Sequence, residues 1–528
     1  MLKRINFRLI LAIILLVVYN FFFWKEKLGL NLIIFSILLA GAIIILNSKS
    51  LVDRKVLLML MAVIYSGVMA ALHNSFFSKF TVFTSLMLLA GYAHQPGIRA
   101  LFSSYTSCLL DYCMVPVVFV DVIKRSKEKS RVFRIVFLTI KLAIIPLIIV
   151  FIFYFIYAVS NEKFNFYSQK VFNNISDFIF NILKDYSFVR FMFILLGLIL
   201  LTGVLHGRSL PLIKNLDLLF TEKLIRNKSL KLIWLTNNKK YIPLFRVINI
   251  FRRKMNALVS ENRIGIILLI LVNILLLALN AVDIRFLWLN FDLSEIPVFS
   301  DYVYAGTYLL IFSITLSMLI LMYFFRGNLN FFRKNKILTY LAYIWIGQNA
   351  FMAASVWLRN YYYIIYTHTI SYRKTGVIIF VTLTFIGLVT MVLKIRQKRT
   401  AYNIFKTNAW AVLAMLLAMS SFNWDINIAE YNLANPKTND IDIAYLLELS
   451  DDVLPALNEK QEMMKRDFYI PRSHRHKTIF AYDYFYERVM LFKKEQSEYT
   501  WLSWNYSDHQ ISEYFKEHQI KRINNENN

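Results

Sequence analysis

The chain has 528 residues, of which 58% are hydrophobic and 16% aromatic. Soluble globular domains use about 45–50% apolar residues, so the excess points to lipid as part of the solvent. The formal net charge of +27 would suit nucleic acid if the basic residues formed one patch. They lie instead in short loops between apolar runs, with only 14 Gly and 9 Pro to build flexible linkers. In that position they read as topogenic signals and as an attraction to anionic inner-leaflet lipid, and nucleic acid is set aside as a partner.

Taken in chain order, the apolar runs that approach a bilayer-spanning length are 9–24, 28–47, 56–73, 77–93, 135–158, 190–205, 264–280, 302–325, 337–357, 377–393 and 408–421. The first follows Lys3, Arg4 and Arg8, as a signal peptide would. No small-residue cleavage site follows it, and Phe21, Phe22, Phe23 and Trp24 form an aromatic interfacial end. A retained first helix is therefore expected. With the amino terminus inside, the segments 1–8, 48–55, 94–134, 206–263, 326–336 and 394–407 are cytoplasmic and hold 35 of the 60 Lys and Arg residues. An odd number of spans then places residues 422–528 outside, and their 18 acids against 13 bases suit that side.

Two inner segments are longer than connectors. Residues 101–122 are apolar but broken by Asp111 and Pro116, so they read as interfacial or re-entrant, with a twelfth span as the rival. Residues 206–263 mix Lys and Arg with Leu, Ile, Trp and Phe, which suits amphipathic helices on an anionic leaflet. Cys108 and Cys113 are too few for a disulfide framework and fall on the reducing side. The tail shows helical patterns at 440–449, after Ser450, at 476–498 and at 508–518, and no clean strand pattern. The expected architecture is all-α. It is a polytopic bundle of about eleven spans, amino terminus in and carboxy terminus out, divided as 1–260, 261–421 and a small helical outer tail 422–528.

Several stretches carry a resemblance. They are Glu261-Asn-Arg-Ile-Gly265 followed by Asn273, Asn280 and Asp283; Gly306-Thr307; Tyr323-Phe-Phe-Arg-Gly-Asn-Leu-Asn330; Leu341-Ala-Tyr-Ile-Trp-Ile-Gly-Gln-Asn349; and Arg359-Asn360. Ile428-Ala-Glu-Tyr-Asn432, Tyr445-Leu-Leu-Glu-Leu-Ser450 and Trp501-Leu-Ser-Trp-Asn505 continue the series. In this order they resemble bacterial multi-pass membrane proteins grouped under domain of unknown function 4153 and its relative 4173. Residues 1–260 resemble that family only in hydropathy. The chain departs from the pattern at His368-Thr-Ile-Ser371, where an aromatic-Gly-Leu-Thr turn is expected. It departs again at Tyr304-Ala305, where a His is expected. The resemblance implies a fold class and a bacterial cytoplasmic membrane location, and no mechanism.

Polar groups inside a membrane are costly, so each is a candidate for function. Asn273 and Asn280 are two helical turns apart and share a face, with Asp283 three residues further. Gln348 and Asn349 sit mid-span on a second helix that carries Arg359 at its outer end. If the two helices face each other, Asp283 and Arg359 pair at the outer rim above the amides. That arrangement serves either as interhelical glue or as a ligand pocket. Arg326 opens an inner loop with Gly327 and is placed to meet a lipid phosphate, or serves only as a topogenic Arg at a helix-ending turn. His474, His476 and His509 lack metal-ligand spacing. Asp425, Glu430, Asp451 and Asp452 are ordinary at helix starts and turns. No nucleotide or nucleophile-elbow motif occurs, so no cofactor, metal or catalytic residue is expected. A non-enzymatic sensor, scaffold or envelope assembly factor fits this pattern best. A transporter of a small solute or lipid is one alternative, and a membrane-embedded lipid or glycan transferase is another. The protein partners are not specified.

Overall fold

The computed structural model describes residues 2–120, 188–207, 211–225, 257–289, 299–434, 442–464, 467–469, 478–518 and 520, with scattered positions between 146 and 169. Most of the 135–158 span, residues 226–256 of the basic loop, and His474 and His476 lie outside them. The first bundle helices are α1 (Leu2–Phe23), α2 (Leu30–Leu46), α3 (Arg54–His73), α4 (Phe76–His94), α5 (Leu101–Cys113), α6 (Phe188–His206) and α7 (Pro211–Leu219). They are followed by α8 (Ala257–Asp283), α9 (Phe299–Phe324), α10 (Lys336–Thr367), α11 (Tyr372–Gln397) and α12 (Ala401–Ser420). The tail holds α13 (Trp424–Ala434), α14 (Ile443–Glu448), α15 (Leu454–Glu459), α16 (Ala481–Glu498) and α17 (Tyr506–Glu517).

Six stretches among the described residues are long and apolar enough to cross a membrane: Arg54–His73, Phe76–His94, Phe188–His206, Leu258–Leu289, Thr307–Phe324 and Tyr372–Gln397. Each contains or closely overlaps one of the runs marked from the sequence. Phe7–Phe23 and Leu30–Leu46 are shorter apolar helices, and Ala401–Ser420 joins Trp424–Ala434 through a 61° bend.

Local chemistry explains the tight hairpins. Asn74 (φ 47°), His368 (φ 49°) and Lys398 (φ 52°) end their helices in the left-handed region. Ser75, Ser371 and Thr400 then cap the next helix, accepting from the backbone N–H of Ser78, Lys374 and Asn403. At the 368–371 departure, His368 takes the left-handed position and the Ser371 hydroxyl supplies the cap.

Three apolar cores form. The first gathers α1–α6 around residues such as Ile43, Val63, Leu89 and Leu205. The second gathers α8–α11 around Leu269, Leu338, Met352 and Met391. α12 joins them, contributing Leu413 to the first and Ile404 to the second. The third lies in the tail, around Leu446, Leu454, Phe485 and Phe515. Segment 101–122 begins as α5, 13 residues long, and helix resumes at 115–120, the last described residues there. It packs into the bundle with Ser103, Ser104, Ser107, Cys108 and Asp111 buried. Gly91 permits this approach, since a Cβ there would lie 2.1 Å from the Ser104 carbonyl oxygen.

The tail corrects one expectation. A two-stranded antiparallel ladder, β1 (Asp467–Tyr469) with β2 (Thr478–Phe480), precedes α16. Each strand has three residues, too few for a period-2 pattern to emerge from sequence. Helix α16 consequently starts at Ala481. Its buried stripe is Tyr482, Phe485, Val489 and Phe492, rather than one running through Phe480 and Tyr484.

The connections sort into two ends. At one, Lys55 Nζ donates to the Ile98 carbonyl (2.5 Å), Leu224 N–H to that of Lys398 (2.8 Å), and Lys394 Nζ to that of Phe325 (2.6 Å). Lys406 pairs there with Glu222 at 2.6 Å. At the other end, the tail meets the α1–α2 turn, helix α3 and the α10–α11 turn. Among the described residues, the connections 48–53, 95–100, 221–225, 325–335 and 398–400 therefore share one end and the tail occupies the opposite one.

Candidate functional site

Helices α8 and α10 run parallel and are joined by a polar ladder. Asn273 Nδ2 donates to its own helix at Leu269 O (2.7 Å) and across to Leu341 O (3.1 Å). One heptad further, Asn280 Nδ2 donates to Gln348 O (3.2 Å). Gln348 Nε2 donates back to Asn273 Oδ1 (2.9 Å). Above the amides Arg359 donates to Asp283 in a buried ion pair. Trp288 Nε1 donates to Ser355 Oγ (3.1 Å), and its ring stacks on Phe351. Five of the six residues singled out from the sequence thus come together. Asn349 does not join them: its Nδ2 turns to the Trp345 carbonyl of its own helix (2.7 Å). Such amide bonds between helices contribute about 0.6 kcal/mol each on average, and up to about 1.7. Arg326 is exposed at the basic end, its guanidinium 3.9 Å from the Tyr323 ring centroid.

A second cluster clamps the tail to the bundle. Lys27 Nζ lies 2.7 Å from Asp508, which also accepts from Asn505 Nδ2 (2.8 Å) and Gln496 Nε2 (3.0 Å). Lys27 N–H donates to Ser503 Oγ (2.9 Å), and Leu30 N–H donates to Trp504 O (2.9 Å). Glu26 accepts from Thr500 N–H (3.1 Å) and from the Ser503 hydroxyl. Gly29 is required beneath this contact, because a Cβ would sit 2.4 Å from the Ser503 and Trp504 carbonyl oxygens. Burial lowers the Lys27 pKa, but Asp508, then Asp451 and Asp452, outweigh it and hold the ammonium above its ordinary value. Burial raises the Asp452 carboxyl, against hydrogen bonds from Ser507 (2.7 Å) and Asn423 (2.8 Å). Nearby, Tyr372 donates to Asp425 (2.6 Å), Asn432 bridges the Ile370 backbone, and Arg488 pairs with Asp451 (2.9 Å).

Sequence reasoning missed two further polar nodes. His94 Nδ1 lies 3.0 Å from Asp111, with both side chains buried between α4 and α5. Asp217 of α7 accepts from Ser103 Oγ (2.7 Å), Tyr402 OH (2.8 Å) and Arg99 N–H (2.7 Å), tying three separate segments together. The only signal was the Ser103, Ser104, Ser107 and Asp111 run within an apolar stretch. Asp217 gave none. Among the described residues no group of three His, Cys, Asp or Glu is arranged to hold a metal, and His509 instead lies beside the Trp504 ring.

A family model described as "Domain of unknown function (DUF4153)" matches residues 10–460. The chain belongs to that family. The match reaches through the first half of the chain, where the sequence resembled the family only in hydropathy, and stops before Trp501–Ser503 and α17. No curated protein and no solved structure matches the chain.

Proposed function

We propose that this chain is a non-enzymatic, multi-pass protein of a bacterial cytoplasmic membrane that presents a fixed outer tail as a scaffold or sensor surface. In this reading the bundle has about eleven spans. The basic end faces the cytoplasm and anionic inner-leaflet lipid, with Arg326 at the headgroups, and the tail faces outward. One observation carries the proposal: the tail is fastened to two separate turns of one bundle end, α1–α2 through Glu26 and Lys27 and α10–α11 through Ile370. A surface held from several points is positioned rather than tethered. The ladder supports the same reading, because its amides bond mostly to backbone carbonyls and so serve as glue.

The test pairs topology with function. Cysteines introduced singly at the exposed Gln397 and Gln510 are treated with a membrane-impermeant maleimide in intact cells. Labelling of Gln510→Cys alone is expected. Labelling of Gln397→Cys instead overturns the orientation. In a strain lacking the chromosomal copy, Lys27→Glu is expected to lose complementation, while Asn273→Leu with Gln348→Leu retains it. The reverse pattern would favour a transporter using the ladder as its site.

A further inference from the structure

A groove of about 330 Å³ lies within the first core, between α1, α2, α4 and α6, with Tyr112 of α5 at its side. Small-molecule sites occupy roughly 300–1,000 Å³ and are mostly apolar with a few placed polar groups. This groove fits that description. Its walls include Phe35, Leu39, Leu86, Met87, Leu201 and Val204, and its charged lining is limited to Glu26 and Lys79. Both charges stand at the tail end of the bundle, where α4 begins and the α1–α2 turn passes. Along α6 the lining runs from Phe193 to Val204. At about 1.5 Å per residue that is roughly 16 Å, close to half of a hydrocarbon core about 30 Å thick. The groove is therefore one leaflet deep. Phe83 on its wall is 47% exposed, so its apolar lining continues onto the outer surface of the bundle.

The two charges differ in their state. The Glu26 carboxylate already accepts from Thr500 and Ser503 of the tail. Lys79 makes no ion pair among the described residues. The nearby Asp508 is engaged by Lys27, and Asp452 by Asn423 and Ser507. A half-buried ammonium above an apolar slot calls for an anionic group on an apolar chain. Glu26, the other charge of the groove lining, disfavours a second negative charge on the ligand and suits an ammonium.

We propose that the groove holds an acyl chain of a zwitterionic aminophospholipid from the tail-side leaflet, its phosphate on Lys79 and its amine towards Glu26. The inference goes beyond the scaffold reading and stands whether or not that reading holds. The test uses the full chain in phosphatidylcholine vesicles doped with phosphatidylethanolamine bearing a diazirine in one acyl chain. After irradiation, mass spectrometry is expected to find the label on groove residues such as Leu86 or Leu201. Lys79→Gln is expected to cut that labelling at least fivefold, and Lys79→Arg to restore most of it. Leu86→Trp fills the slot and should abolish labelling; since it is the variant more prone to misfold, Lys79→Gln carries the decision. Unlabelled phosphatidylethanolamine should compete better than phosphatidylglycerol. No groove label overturns the site. An unaffected Lys79→Gln protein overturns the phosphate contact, and equal competition by phosphatidylglycerol overturns the headgroup.

Discussion

The α8–α10 ladder and the tail clamp are both buried and polar, yet they are built differently. Partners in the ladder are separated by a near-constant offset, 68 residues at two successive amide bonds, because two parallel helices advance together. Its rungs are neutral amides bonded largely to carbonyls, and its one ion pair stands at the rim. Partners in the clamp between the α1–α2 turn and the tail are 474 to 481 residues apart, and several carry charge. The contrast follows solvation. In hydrocarbon an ion costs several kcal/mol to desolvate, whereas an amide can be satisfied by a nearby carbonyl. Near the headgroups water lowers that cost, and charge can then select a partner from a distant part of the chain.

Four measurements sharpen or break this contrast. The largest effect is expected at the rim of the ladder. Asp283→Ala leaves the Arg359 guanidinium buried without its carboxylate and should cost about 3–5 kcal/mol in reversible unfolding in detergent. Asp283→Leu with Arg359→Met should recover most of that loss; if the double variant is as unstable as the single, the pair is not an isolated unit.

Next comes the clamp. Lys27→Met should cost about 1–3 kcal/mol, the range for hydrogen bonds to charged groups, discounted because Lys27 is partly wet. It should be read as faster proteolysis of residues 435–528 while the bundle stays intact. Because the folded Lys27 pKa is raised, its contribution is complete below about pH 10 and is lost only as pH climbs through the folded value. Protection of the tail that fades between pH 6 and 9 would count against this assignment.

Third, the two amides of the ladder should matter less than either ion pair. Asn273→Leu with Gln348→Leu is predicted to cost about 1–2 kcal/mol on the same unfolding assay.

The smallest effect is expected at Asp452. Its raised pKa means that the folded state binds its proton more tightly, so docking strengthens as pH falls through that value and weakens as pH rises. Asp452→Asn should flatten this acid-side slope in tail proteolysis, with less than about 1 kcal/mol change at neutral pH. A slope unchanged by the substitution would place the titration elsewhere.

Much of the fold was legible beforehand because lipid simplifies the code. Apolar runs 56–73 and 77–93 had no alternative to helix, since unpaired backbone is too costly in hydrocarbon. The Asp283–Arg359 pair was legible for a related reason: isolated charges on apolar helices need partners, and few were within reach. The His94–Asp111 contact and the Asp217 node were not. Asp111 and Asp217 sit in the short helices α5 and α7, where no regular spacing with a partner on another helix marks them. The β1–β2 ladder escaped because three-residue strands are too short to show a period.

By itself, the sequence determined the class of protein and most of the described helical segments. These depend on local hydropathy and charge, which each segment carries without its neighbours. Only the tertiary structure decided that α8 and α10 lie parallel in register and that α12 joins two cores. It also decided that Lys27 meets Asp508, and that a leaflet-deep groove opens below Lys79. Those facts arise from packing between segments tens to hundreds of residues apart, where many pairings satisfy the same local pattern and only close contact selects one.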